Sequence, residues 1–169
     1  MALADDLLEQ AKFLSRREAG RGRPRQASLR RAASSAYYAV FHLLAADAAY
    51  QASPGNPRGL RDRVQRALGH ETMKQAASAF RASNLPQHVA SVIPSPIPQE
   101  LITIADRFVL LQEARHKADY DLTEQFDRTK VQALVNDAEL VFKLWRQVQD
   151  TDSARVFLAS LMFWKLWSR

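Results

Sequence analysis

The sequence contains no cysteine, little glycine and no stretch in which β-branched residues alternate with polar ones. Without cysteine, the chain can form neither a disulfide nor a thiolate metal site. Without alternation no β-strand is predicted, and the abundance of Ala, Leu, Arg and Gln favours helices. We therefore expect an all-α protein, an up-and-down bundle of four to five long helices with an extra apolar helix at the C-terminal end.

The sequence also has no apolar run of about 18 residues, the length needed to span a membrane, and no secretory signal peptide. These absences favour a cytoplasmic location, and we expect neither a cofactor nor a metal ion. A chain of 169 residues can bury roughly 70% of its unfolded surface. We therefore expect a single domain over residues 1–169. Its core should lie in residues 28–149, and residues 150–169 should form a helix that packs on the domain or mediates dimerisation.

Positive charge is concentrated in two places, although the net charge of +6 is modest. Residues 16–31 contain seven arginines and one acidic residue, and a second group of arginines lies within residues 58–66. Clustered cations attract phosphate backbones. The clusters therefore indicate either a nucleic-acid contact or simply an arginine-rich composition. The candidate nucleic-acid patch consists of Arg21, Arg23, Arg25, Arg30, Arg58, Arg61, Arg63 and Arg66.

A long apolar segment from Ser28 to Ala48 is the centre of the predicted fold. Its period predicts a helix that is capped by Ser28, ends near Gln51 and has one broad apolar side. The opposite side carries polar residues at helical spacing, namely Arg31, Ser35, Tyr38 and His42. This face can meet another helix through buried hydrogen bonds, or it can form one wall of a polar site or a dimer interface.

Helical periodicity and breakers predict the remaining elements. Helices are expected at about 3–18, at 57–82 with a kink at Gly69, at 98–120, from just after Thr123 to about 149, and at 154–167 after a cap at 151–153. Residues 84–98 contain four prolines and should form an irregular connection. The last helix is apolar almost all round, so we expect it to be buried against this subunit or a second one rather than to lie on a membrane.

The helix that should end near Tyr120 has charged residues where its apolar stripe should continue. The stripe of Leu101, Ile104, Phe108 and Leu111 leads, at the same spacing, to Arg115 and Asp119. A buried pair of opposite charges seldom compensates for its desolvation. The pair is therefore either an intrahelical bridge at the end of the bundle or part of a functional site.

Two segments together resemble the HEPN (higher eukaryotes and prokaryotes nucleotide-binding) helical domain. They are SSAYYAVFHLL (Ser34–Leu44) and LQEARHKADYDL (Leu111–Leu122). The resemblance implies a dimeric helical bundle in a toxin–antitoxin, phage-defence or RNA-processing system, with a minimal nucleotidyltransferase antitoxin as a possible partner.

Many HEPN proteins are metal-independent endoribonucleases that use an arginine followed, after four to six residues, by a histidine. In this chain the positions allowed by that spacing from Arg115 hold Tyr120, Asp121 and Leu122, so the histidine is missing. The candidate binding residues are Arg31, Ser35, Tyr38, His42, Arg115, Asp119 and Tyr120. We expect an RNA-, nucleotide- or partner-binding homodimer. One alternative is a ribonuclease whose candidate catalytic residues are Arg115 with His42 or Tyr120, and the other is a purely structural interaction module.

Overall fold

The computed structural model describes residues 3–16, 25–55 and 58–167. Within these ranges it contains eight α-helices and no β-strand, so the predicted all-α class is confirmed. The helices are α1 (Leu3–Arg16), α2 (Gln26–Ala52), α3 (Arg58–Ala67), α4 (His70–Arg81), α5 (Gln87–Ala90), α6 (Gln99–Tyr120), α7 (Arg128–Val148) and α8 (Asp152–Trp167). None of these described helices is long and apolar enough to cross a membrane.

Residue contacts divide the chain into two compact units. The first comprises Met1–His42 and Leu110–Phe142, and the second comprises Leu43–Val109 and Lys143–Arg169. Helices α2, α6 and α7 therefore contribute residues to both units. The single domain over residues 1–169 stays a prediction.

The core of the first unit is built where α2, α6 and α7 bring small and large apolar side chains together. Alanines on α2 and α6 let the helices approach closely, and larger side chains fill the remaining space. The buried cluster consists of Leu29, Ala32, Ala33, Ala118, Phe126 and Val131, with Leu14 and Leu134 packed against it. One residue of this cluster, Ala118, lies on α6 between Arg115 and Tyr120 and next to Asp119, all three of which are predicted binding residues.

The start of α2 differs from the prediction, because the helix begins at Gln26 and Ser28 lies inside its first turn. The reason is a contact that the local sequence does not reveal. The Gln26 side chain donates to the Phe126 carbonyl (2.6 Å) and accepts from the Phe126 amide N–H (3.0 Å). This reciprocal pair fixes the first turn of α2 to the connection between α6 and α7, so Ser28 is not needed as a cap.

The predicted helix over residues 57–82 is two helices rather than one kinked helix. Gly69 has extended backbone angles (φ −96°, ψ 133°) and precedes the first residue of α4, so α3 and α4 are separated by a true break. The predicted start of α3, Asn56 and Pro57, lies outside the described residues. The proline-rich connection contains one short helix, α5, and is otherwise irregular as predicted.

Helix α7 begins later than predicted, because residues 121–127 form a structured connection instead of a first helical turn. The Asp121 carboxylate accepts hydrogen bonds from the backbone N–H and the hydroxyl of Thr123 (2.9 and 2.6 Å). The Asp127 carboxylate accepts from the Lys130 N–H at 2.7 Å and caps α7. Two local side-chain interactions thus delay the helix by several residues.

The second unit is organised around aromatic side chains. The rings of Phe80 and Phe157 meet edge to face with centroids 4.9 Å apart, and Phe157 also contacts Trp145 at 6.3 Å. Thr151 caps α8 as predicted, since its hydroxyl accepts from the Ala154 N–H at 3.2 Å. The first half of α8 is buried against α4, whereas Phe163 and Leu166 near its end are exposed.

Candidate functional site

The Arg115 side chain is at the centre of a polar cluster in the first unit. Its Nη2 donates to the Tyr38 hydroxyl at 2.5 Å, and its Nε lies 2.8 Å from Asp119 Oδ2. Only 15% of the Arg115 side chain is exposed, compared with 27% for Asp119. A guanidinium carries five N–H donors, and the described contacts of Arg115 use only Nη2 and the Nε edge. The buried Nε meets Asp119 as a charge and makes no well-directed hydrogen bond among the described residues. A fixed, largely desolvated cation with spare donors is a suitable site for an anion.

Three tyrosine rings surround this guanidinium. The ring centroids of Tyr37, Tyr38 and Tyr120 lie 5.9, 5.2 and 5.6 Å from its central carbon. Aromatic faces attract cations at such distances, more strongly where water is excluded. Tyr37 is fully buried and Tyr120 is 65% exposed, so the three rings extend from the core to the solvent. The exposed ring of Tyr120 is the part of the cluster that a ligand can reach first.

Asp119 is held by α2 as well as by Arg115. The Ser34 hydroxyl donates a short hydrogen bond to Asp119 Oδ1, while Oδ2 faces the Arg115 guanidinium. Both carboxylate oxygens are therefore engaged. The pair is thus not only an intrahelical bridge, since Ser34 and Tyr38 of α2 each bind one of its members.

Burial and neighbouring groups shift several pKa values in this cluster. Burial alone lowers the pKa of Arg115, but the Tyr38 hydrogen bond and the Asp119 charge raise it above the ordinary value, so the guanidinium stays protonated. Burial raises the pKa of Tyr37, although the Arg115 charge acts in the opposite direction. Tyr37 is therefore a neutral structural phenol, because ionising it would place a second charge in the core.

The predicted polar face of α2 is only partly assembled into this cluster. Tyr38 binds Arg115, but Ser35 is buried and donates instead to Gln10 Oε1 of α1 at 2.9 Å. Arg31 is exposed. His42 contacts the rings of Tyr38 (6.4 Å) and Phe41 (5.3 Å), and among the described contacts it has none with Arg115. Burial lowers the pKa of His42, which favours the neutral imidazole.

Arg30, predicted as part of a nucleic-acid patch, is instead committed to backbone carbonyls at the end of α6. Its Nη1 donates to the Ala118 carbonyl (2.9 Å), and its Nη2 donates to the carbonyls of Asp121 (2.9 Å) and Glu124 (2.6 Å). The last carbonyls of a helix lack intrahelical partners and carry partial negative charge. Arg30 therefore acts as a capping residue whose Nη1 and Nη2 both donate to backbone carbonyls. Its contact with a nucleic acid stays a prediction.

The other arginines of the predicted patch fall into different parts of the structure. Arg25 belongs to the first unit, and Arg61, Arg63 and Arg66 belong to α3 in the second unit. The Arg61 guanidinium lies 5.2 Å from the Tyr50 ring centroid, whereas Arg63 and Arg66 are exposed. Arg21, Arg23 and the side chain of Arg58 lie outside the described residues. A continuous basic surface therefore stays a prediction.

Sequence reasoning missed two members of the cluster, Ser34 and Tyr37. Both are next to a predicted residue, but the helical period places them about 100° away from the chosen polar face. Their contacts with α6 depend on how α6 packs against α2, which the sequence of α2 does not show. It also missed that His116, on the exposed side of α6, has its ring 5.2 Å from that of Tyr120. The spacing of four residues between them is the signal that could have shown this contact.

Comparisons with protein-family models, with characterised proteins and with solved structures gave no match. The likeness to HEPN domains therefore depends on the two sequence segments alone. In the structure, Tyr38 of the first segment and Arg115 of the second segment are in direct contact.

Proposed function

We propose that this chain is a HEPN-like protein that binds RNA through the Arg115 cluster. The observation that carries the proposal is the Arg115 guanidinium, which Tyr38 and Asp119 hold in place with 15% of the side chain exposed. Its spare N–H donors can contact a phosphate, and the exposed Tyr120 ring beside it can stack on a base. Stacking of single-stranded bases on tyrosine rings next to arginine is a common mode of RNA recognition.

In this proposal the charge of Asp119 lowers the affinity for RNA. Its carboxylate occupies the Nε edge of Arg115 and repels an incoming phosphate. Removing that charge while keeping a hydrogen-bonding side chain should therefore strengthen binding. Arg31 on the same helix as Tyr38 supplies a further exposed cation in the first unit.

The test is fluorescence anisotropy of a labelled single-stranded RNA over a series of salt concentrations. Arg115→Ala should weaken binding about tenfold or more, the effect of losing one charge-assisted contact, and Asp119→Asn should strengthen it. Arg146→Ala is the matched control, because Arg146 is an exposed arginine of α7 and its loss changes the net charge equally. Equal weakening in the two alanine variants, or no binding at low salt, would refute the proposal.

One observation favours metal-independent RNA cleavage as a second candidate function. The Tyr120 ring lies 5.6 Å from the Arg115 guanidinium and 5.2 Å from the His116 ring, so a phenol, a cation and an imidazole are close together. Arginine can stabilise the charge of a phosphorane, and a phenol can move a proton. RNA cleavage in excess chelator should then be lost in Tyr120→Phe while RNA binding is retained. Intact RNA after long incubation with the wild-type protein would exclude this candidate.

The cellular setting is part of the same proposal. We infer from the likeness to HEPN domains a cytoplasmic homodimer in a toxin–antitoxin, phage-defence or RNA-processing system, with a minimal nucleotidyltransferase as a possible antitoxin. Light scattering of the purified chain measures the dimer, and co-expression with the product of the neighbouring gene tests the partner. A monomer at micromolar concentration would contradict the dimer.

A further inference from the structure

A cleft in the second unit is lined by residues that do not belong to the Arg115 cluster. It has a volume of about 460 Å³, within the range typical of small-molecule sites. The end of α2, the junction of α7 and α8, and the first turns of α8 supply its walls. The lining residues that matter chemically are Asp47, Tyr50, Gln51, Asp150, Arg155 and Leu158.

The cleft carries two carboxylates without a cationic partner. Asp47 accepts a hydrogen bond from the indole Nε1 of buried Trp145 at 2.5 Å, but it has no ion pair among the described residues. Asp150 likewise has none within the described part of the chain. The Arg155 guanidinium is engaged by Asp152 at 2.7 Å, so its charge is already compensated. The lining residues therefore carry two carboxylates and one guanidinium, a formal net negative charge in a chain whose net charge is +6.

The rest of the lining suits an organic group rather than a bare ion. Leu158 is buried and gives the cleft an apolar wall, and the Tyr50 ring is 55% exposed. That ring already attracts a cation, since the Arg61 guanidinium lies 5.2 Å from its centroid. The amide oxygen of Gln51 is buried and has no hydrogen-bond partner among the described residues. Such an acceptor calls for an N–H donor.

A divalent metal ion does not fit this site. Among the described residues no group of three or more His, Asp or Glu side chains could hold a metal ion. Hard cations need several oxygen ligands around one position. A ligand with N–H donors and an apolar body satisfies the carboxylates, the amide oxygen and the tyrosine ring together.

We propose that this cleft binds a small organic cation, an ammonium or guanidinium group on an aliphatic chain. The charged nitrogen pairs with Asp47 and Asp150, and the aliphatic part packs on Leu158 and Tyr50. Asp47 is the more important carboxylate because Trp145 holds it in position and it is half-buried, so its charge is less screened than that of exposed Asp150.

The experiment uses the full chain and agmatine as the probe, with butanol as the neutral probe and sodium chloride to match ionic strength. Calorimetric titration gives the affinity, and the Trp145 indole N–H resonance reports whether the ligand reaches Asp47. Asp47→Asn keeps the acceptor for Trp145 and should weaken agmatine binding about tenfold or more. Asp150→Asn should weaken it about threefold, a smaller effect because exposed charges interact less.

Asp6→Asn is the matched control, because Asp6 is an exposed carboxylate on α1 in the other unit. It removes the same charge and should leave the affinity unchanged. The proposal is overturned if agmatine does not bind, if butanol binds equally well, or if the control weakens binding as much as Asp47→Asn. Asp150→Asn, a surface change, keeps the test decisive if Asp47→Asn does not fold.

Discussion

Replacing Arg30 with methionine should destabilise the protein although the residue lies outside the buried core cluster. Methionine keeps most of the apolar stem but removes the guanidinium, which donates to the carbonyls of Ala118, Asp121 and Glu124. A hydrogen bond to a charged group is worth about 1.5–3 kcal/mol when buried and less when water can replace it. These three bonds are part-buried, so we take roughly 0.5–1 kcal/mol for each and expect a total loss of about 1.5–3 kcal/mol.

The guanidinium also lies 5.7 Å from the ring centroid of buried Phe126, and this contact adds at most about 1 kcal/mol at a partly exposed site. For a chain of this length the loss of the three hydrogen bonds corresponds to a decrease in Tm of roughly 3–12 °C. Urea unfolding followed by circular dichroism measures the free energy directly. Arg30→Lys should recover less than half of the loss, because lysine has no planar fork to reach several carbonyls at once.

The neighbouring arginine provides the control. Arg31 is exposed, and Arg31→Met should change the free energy of unfolding by less than about 0.5 kcal/mol. If the two methionine variants are equally stable, Arg30 does not cap α6 and the reasoning fails. If Arg30→Met also weakens RNA binding while Arg31→Met does not, the position of the α6 terminus matters for the site.

Two further predictions concern stability. Arg115→Met should lower the free energy of unfolding by about 1–2 kcal/mol, less than the 3–5 kcal/mol expected when a fully buried pair is broken. The loss is smaller because the Asp119 side chain is 27% exposed and keeps its hydrogen bond to Ser34. Urea unfolding measures this loss, and a value above about 3 kcal/mol would contradict the prediction. Burial lowers the pKa of His42 below 6.5, so the unfolded chain takes up a proton more readily and stability should decrease as pH falls below that value. In His42→Gln, the free energy of unfolding measured above and below pH 6.5 should decrease less than it does in the wild-type protein. If the two proteins show the same pH dependence, His42 is not the group responsible.

The helical period alone predicted much of the fold and the centre of the site. It placed Arg115 and Asp119 on the face of α6 that carries the apolar stripe, and the structure brings Tyr38 to Arg115. The helical period is informative here because α2 and α6 are long and continuous. An error of one or two residues at a helix end does not change which of the middle residues share a face. The function of this cluster stays a prediction.

The sequence could not show what depends on contacts between distant segments. Ser34 and Ser35 are adjacent hydroxyls on one buried helix, and only packing decides that Ser34 reaches Asp119 while Ser35 reaches Gln10. Arg30 and Arg31 are similarly adjacent, yet one caps α6 and the other is exposed. Adjacent residues of the same type look equivalent in the sequence, but they point about 100° apart around the helix axis. That difference in direction makes one arginine a capping residue and leaves the other exposed.

The connection of residues 121–127 has a consequence for protein engineering. Exposed links between helices ordinarily tolerate extra residues, and a tag would naturally be placed there, beside the solvent-facing Leu122. In this chain two residues near the start of α2 bind that connection close to its two ends: Arg30 binds the Asp121 carbonyl and Gln26 binds the Phe126 backbone. A peptide inserted into this connection would have to break both sets of contacts, so its exposure alone does not make it a suitable place for a reporter.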